Sequence, residues 1–130
     1  MYDTGTTFLQ EPMRKNEFLD YVGNDLLSKL RDLTAKSMFG GYGLYQGPVF
    51  FAIIADDVLY FKADETTRAK YESAGSKPFS YTTKSGKEVV MTYWQVPAEI
   101  MENKTAAAEW AMESVRINTE LYKAKQKPES

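Results

Sequence analysis

Val49-Phe50-Phe51-Ala52-Ile53-Ile54-Ala55, then Asp56-Asp57, then Val58-Leu59-Tyr60-Phe61-Lys62 is the stretch whose reading decides the fold. A continuous apolar run of this length, rich in aromatic and β-branched residues, suits a strand better than a helix. The two acids between the runs read as a tight turn, since Asp tolerates left-handed backbone and bonds locally to its own chain. The expected product is an antiparallel hairpin. In that position the acids are turn residues rather than a pair of catalytic carboxylates.

Upstream, Met38-Phe39-Gly40-Gly41-Tyr42-Gly43-Leu44-Tyr45 reads as one extended segment interrupted by a glycine bend, followed by a turn at Gln46-Gly47-Pro48. Gly40, Gly41 and Gly43 form a structural motif, expected to supply positive φ or close backbone approach. A dinucleotide loop is a poor alternative, because the spacing is wrong and a strand follows where a helix N-terminus is needed. Before this segment, Phe18, Val22, Leu26, Leu30 and Leu33 recur at helical spacing behind Asn16, a plausible N-cap.

Downstream, Asp64 suits the start of a helix over 65–74. Strands over 79–83 and 88–94 flank the turn Lys84-Ser85-Gly86-Lys87. A short helix opens at Pro97, and a longer one runs over 105–122 with Ala108, Ala111, Met112 and Val115 on its apolar face. The expected fold is a two-layer α+β domain. Its five-stranded antiparallel sheet, in the order α-βββ-α-ββ-α, carries its helices on one face. Residues 1–15 are expected as a flexible arm, 16–122 as the single domain and 123–130 as a charged tail.

Composition narrows the chemistry. The 130 residues contain no Cys and no His. A thiol nucleophile, a disulfide framework, a Cys/His zinc site and a Ser-His-Asp triad are therefore excluded within this chain. No acids cluster as a general acid/base pair or a hard-metal site, so no catalytic residue, metal or cofactor is expected. The net charge of −2 disfavours nonspecific binding to nucleic acid, and direct DNA binding is not expected. No apolar run is long enough for a membrane span. The start, Met1-Tyr2-Asp3-Thr4-Gly5, lacks the features of a signal peptide, so the expected location is the cytoplasm.

The strand faces are more informative. Phe51 and Ile53 oppose Phe50 and Ile54, and Val89, Met91 and Tyr93 oppose Val90, Thr92 and Trp94. A sheet apolar on both faces needs cover on both. The second face meets a twin subunit, a partner or an apolar ligand, or it is covered by the arm, the tail or the short helices. The first alternative motivates an expected homodimer. Tyr42, Tyr45, Phe50 and Trp94 are the candidate interaction surface.

Met38 to Tyr45 resembles the opening signature of the TfoX N-terminal domain family. The segments that follow are similar in order and spacing: Phe51 to Asp56, Leu59 to Asp64, Gly75, Pro78-Phe79 and Tyr81, then Met91, Tyr93-Trp94 and Pro97. The resemblance covers about residues 34 to 117. It implies a five-stranded α+β domain similar in topology to secretion chaperones, with no catalytic residues to carry over. Two-domain members regulate natural competence, acting on promoters alongside the cyclic-AMP receptor protein; their C-terminal helical domain is not expected within these 130 residues. The implied function is a non-enzymatic regulatory interaction module with a transcription-regulator partner. The alternative is a small-molecule-binding domain with an apolar groove beside Trp94.

Overall fold

Asp56 and Asp57 both hold left-handed backbone, φ 52° and 60°, and Ala55 pairs with Val58 across them. The deciding hairpin thus closes through a two-residue turn whose twist matches that of its strands. The computed structural model describes residues 6–7, 17–38 and 40–126. The expected arm, apart from positions 6 and 7, lies outside the described residues, as do Asn16 and positions 127–130 of the expected tail.

The strands are β1 (Thr6–Thr7), β2 (Leu33–Met38), β3 (Gly41–Gln46), β4 (Val49–Ala55), β5 (Val58–Lys62), β6 (Pro78–Thr82) and β7 (Glu88–Gln95). They form one antiparallel sheet in the order β1-β2-β3-β4-β5-β7-β6, of which six are full strands and β1 a two-residue pairing. The expected count of five is corrected here. Met38 pairs with Gly41, and Gly40 lies between them at φ 77°. The glycine bend therefore reverses the chain, and the segment expected as one interrupted strand is a hairpin of two.

The helices are α1 (Glu17–Tyr21), α2 (Arg68–Ser73), α3 (Ala98–Met101) and α4 (Lys104–Gln126). The helical spacing that extended to Leu33 stops earlier. After α1 the chain widens into a π-helical turn over Val22–Leu26, closed by the Leu27 amide donating to the Val22 carbonyl at 2.8 Å. Asp32 then turns at φ 56°, and Leu33 opens β2. Leu19, Val22, Leu26 and Leu27 are buried all the same, because the apolar stripe serves the core in either geometry. No described helix is long and apolar enough to cross a membrane.

All four helices contribute to a core on one face of the sheet, against Leu44, Ala52, Ile54, Leu59 and Phe61. Each large apolar side chain removed from water there stabilises the fold by about 1.5–3 kcal/mol. A bulge in β4 adds to it. Leu44 pairs with Ala52 and Tyr45 with Phe50, which leaves Phe51 as the extra residue and turns it into the same core, 6.1 Å from the Phe61 ring. The short α2 is held by Tyr71, edge-on to Trp110 at 4.9 Å, and by Lys70, which pairs with Glu113 at 2.6 Å and lies over the Trp110 ring.

On the opposite face, Ile53, Phe79 and Tyr93 form a second buried cluster, flanked by Phe50, Tyr60, Tyr81 and Met91. β6 and β7 supply part of its cover: Phe79 lies edge-on to Tyr60 at 5.1 Å. Aromatic side chains of the sheet thus absorb much of the apolar excess that motivated a homodimer. That face does not by itself require a second copy.

Candidate interaction groove

The β4–β5 ladder ends at the Ala52–Phe61 pair, because the bulge at Phe51 carries β4 away from β5. Two carbonyls, those of Phe50 and Lys62, lie past the end of the β4–β5 ladder. α4 crosses this splayed end and supplies a side-chain donor to each. The Ser114 hydroxyl donates to the Lys62 carbonyl at 2.8 Å, and the Asn118 amide donates to the Phe50 carbonyl at 2.7 Å. Ser114 is fully buried, and a buried hydroxyl needs a hydrogen-bond partner within the protein.

The same Asn118 amide also reaches the Tyr93 phenol oxygen at 3.0 Å. Burial pushes that phenol up to about 12, an effect which Tyr45 adds to and the Asn118 bond opposes. Tyr93 stacks at a tilt on Phe50, and Phe50 on Tyr45, with centroids 5.3 and 5.4 Å apart. A lysine lies over each end of this row: Lys36 over Tyr45 at 4.7 Å and Lys62 over Tyr93 at 5.5 Å. Lys62 also donates to the Thr92 hydroxyl.

Beyond Asn118, α4 overhangs a groove of about 520 Å³ lined by Val49, Phe50, Lys62, Leu121, Tyr122 and Lys125, among others. The sequence placed 123–130 in a charged tail, but α4 continues to Gln126, which makes Lys125 part of the groove. A second hollow of about 450 Å³ shares Lys62 and Leu121 and runs on past Thr92, Trp94 and Arg68. Leu121 and Tyr122 are 48% and 62% exposed. Among the described residues no group of three or more acids is placed to hold a metal ion.

The four residues expected as one interaction surface do not form one. Tyr42 and Trp94 pack against the helix-side core, whereas Phe50 belongs to the opposite cluster with Tyr45 against its ring. Period-two alternation and the β4 bulge separate them. The glycine motif has two different physical roles. Gly40 alone holds positive φ. A Cβ on Gly41 would collide with the Ile54 carbonyl oxygen, and one on Gly43 with the Met38 sulfur and the Phe50 ring.

The sequence reading missed Lys62, Ser114, Asn118 and Lys125. One signal was present. The buried stripe of α4, Ala107, Ala111 and Val115, continues to polar Asn118 at near-helical spacing. A polar residue on an apolar stripe marks a backbone group that needs a partner.

A family model described as the TfoX N-terminal domain matches residues 25–117. The DNA transformation protein TfoX1 of Aliivibrio fischeri (strain ATCC 700601 / ES114) is 30% identical over 106 residues, which are 78% of this chain and 50% of that protein. The chain spans about half the length of that curated relative. Asn118, Leu121, Tyr122 and Lys125 lie after the span that the family model matches. That span takes in β2 to β7 and α4 as far as Ile117, most of the chain, and the protein belongs to the TfoX N-terminal domain family.

Proposed function

We propose that the protein is a non-enzymatic regulatory module of the competence type, acting on transcription through a protein partner in the cytoplasm. The observation that carries this reading is the family match over residues 25–117, together with the likeness to a protein named for DNA transformation. Charge supports the partner-mediated form. A chain of net charge −2 has little attraction of its own for a phosphate backbone, so its effect on promoters needs a second protein to hold the DNA.

Deleting the coding sequence and restoring it in trans tests the reading. Transformation frequency and transcripts of DNA-uptake genes are expected to fall on deletion and to recover on complementation. Unchanged values for both in the deletion strain, under conditions where the host is transformable, would refute it.

A further inference from the structure

The groove under the end of α4 has a charge pattern that the fold does not explain. Among the described residues, both charged side chains lining it are cations, Lys62 and Lys125, with no Asp or Glu. The chain as a whole holds 18 acids against 16 bases, so a hollow lined by lysines alone departs from its surroundings. Among the described residues neither lysine has a salt-bridge partner, whereas Arg68, Lys70 and Lys104 pair with Glu72, Glu113 and Asp25.

The acid that acts on Lys62 is Asp64, and its Oδ1 is already occupied. It accepts from the Thr66 amide, the Thr66 hydroxyl and the Thr67 amide. The direct contacts of the Lys62 ammonium are uncharged, the Thr92 hydroxyl and the Tyr93 ring. Burial holds its ammonium below the usual lysine range, against the opposing effect of Asp64, and the positive charge of Lys125 lowers it further. Two cations that repel one another beside a half-dry wall favour an anion between partners.

The remaining walls are apolar. Val49 and Phe50 form one side, and Leu121 and Tyr122 overhang the other while remaining largely exposed. The volume of about 520 Å³ falls in the range usual for small-molecule sites, roughly 300–1,000 Å³, where apolar walls supply affinity and a few polar groups fix orientation.

We propose that this groove binds a small amphiphilic carboxylate of the fatty-acid class, its headgroup taken by Lys62 and Lys125 and its chain lying against Phe50, Leu121 and Tyr122. The ligand carries one delocalised negative charge and an apolar tail, which are the two properties the lining lacks and exposes. Occupancy bridges the last turns of α4 to the start of β4 and the end of β5. Effector binding of this kind is separate from the competence-type role, and each can fail without the other.

The test is calorimetric and thermal-shift titration of the full chain with sodium dodecanoate below its micelle concentration, with dodecyltrimethylammonium as the matched cation. Dodecanoate is expected to saturate at one per chain and to raise the melting temperature, and the cation to do neither. Lys62→Gln removes the half-buried charge. Lys125→Glu, on an exposed turn of α4, tests the site without touching the core. Each is expected to weaken dodecanoate by about tenfold, the scale of one charge-assisted contact. Amide shifts on binding should concentrate at 49–50, 62 and 118–125. No saturable dodecanoate binding, equal binding of the cation, undiminished binding in both variants, or binding only of an acidic peptide would overturn the proposal.

Discussion

The Asn118 amide meets the Phe50 carbonyl oxygen at 2.7 Å, across 68 positions of sequence. That bond joins the second half of α4 to the point where β4 leaves the β4–β5 ladder. It makes a sheet irregularity and a helix polar residue into one device. The carbonyl lies past the end of the ladder, and the asparagine donates to it.

Removing the donor takes away the side-chain partner of a part-buried carbonyl. Asn118→Ala is expected to destabilise by about 1–3 kcal/mol, and Ser114→Ala, which removes the side-chain donor to the Lys62 carbonyl, by a similar amount. Asn118→Leu fills the space without restoring the bond and should recover little. Urea unfolding measures all three. Wild-type midpoints for both alanine variants would remove the capping role assigned to these side chains.

The glycine motif gives an ordered series. Gly40→Ala meets open space but a positive φ, so its cost is the backbone penalty alone, about 1 kcal/mol. Gly43→Ala presses on the Met38 thioether and the Phe50 ring, side chains that can shift in part. Gly41→Ala drives a methyl into the Ile54 carbonyl oxygen, which is fixed in the sheet. Gly41→Ala should therefore be the most damaging of the three, with thermal melts as the measure. A Gly41→Ala variant as stable as Gly40→Ala would contradict the order.

The deciding hairpin was legible because both its signals are local: an apolar run and a turn of two acids. Ile53 and Ile54 could be assigned to opposite faces by alternation alone. The β2–β3 hairpin was less legible. Its turn depends on Gly40 adopting φ 77°, and three glycines in a row of four positions do not say which of them reverses the chain. The Phe51 bulge was invisible for a related reason, since nothing in an unbroken apolar run marks the extra residue. Once the bulge is passed, the faces of Phe50 and Phe51 no longer follow from those of Ile53 and Ile54. The groove inherits this difficulty. Lys62, Asn118 and Lys125 come from three places in the chain, and only the geometry of the splayed ladder brings them together.

Two buried phenols predict a loss of stability at high pH. Burial pushes Tyr93 up to about 12 and raises Tyr71 still further, with Glu113 adding to the latter. Below the ordinary tyrosine value of about 10, both are neutral in the folded and unfolded chain alike. Above it the unfolded chain releases protons that the folded chain retains, so stability falls as pH rises from about 10 to about 12. The slope is at most about 1.4 kcal/mol per pH unit for each phenol. Tyr93→Phe should flatten it, because one of the two groups no longer ionises. Denaturant midpoints measured across this range would show the change, and an unaltered slope in Tyr93→Phe would assign the loss to other groups.

The isolated chain is expected not to bind duplex DNA with useful affinity at physiological salt, despite its likeness to a protein named for DNA transformation. Arg68, Lys70 and Lys104 are paired with Glu72, Glu113 and Asp25. Lys36 and Lys62 lie over tyrosine rings. Lys123 and Lys125 fall in the last turn of α4, where they offset the negative end of the helix dipole. Two or three phosphate contacts from such a turn give binding that is weak and falls steeply with added salt. α4 also spends its apolar stripe on the core, where Ala107, Ala111 and Val115 are buried, so that face of α4 is not free to enter a major groove. Fluorescence anisotropy with the purified full chain decides the matter. Submicromolar, sequence-selective binding at about 0.15 M salt, retained after Lys123→Glu and Lys125→Glu, would overturn the claim and with it the need for a DNA-holding partner.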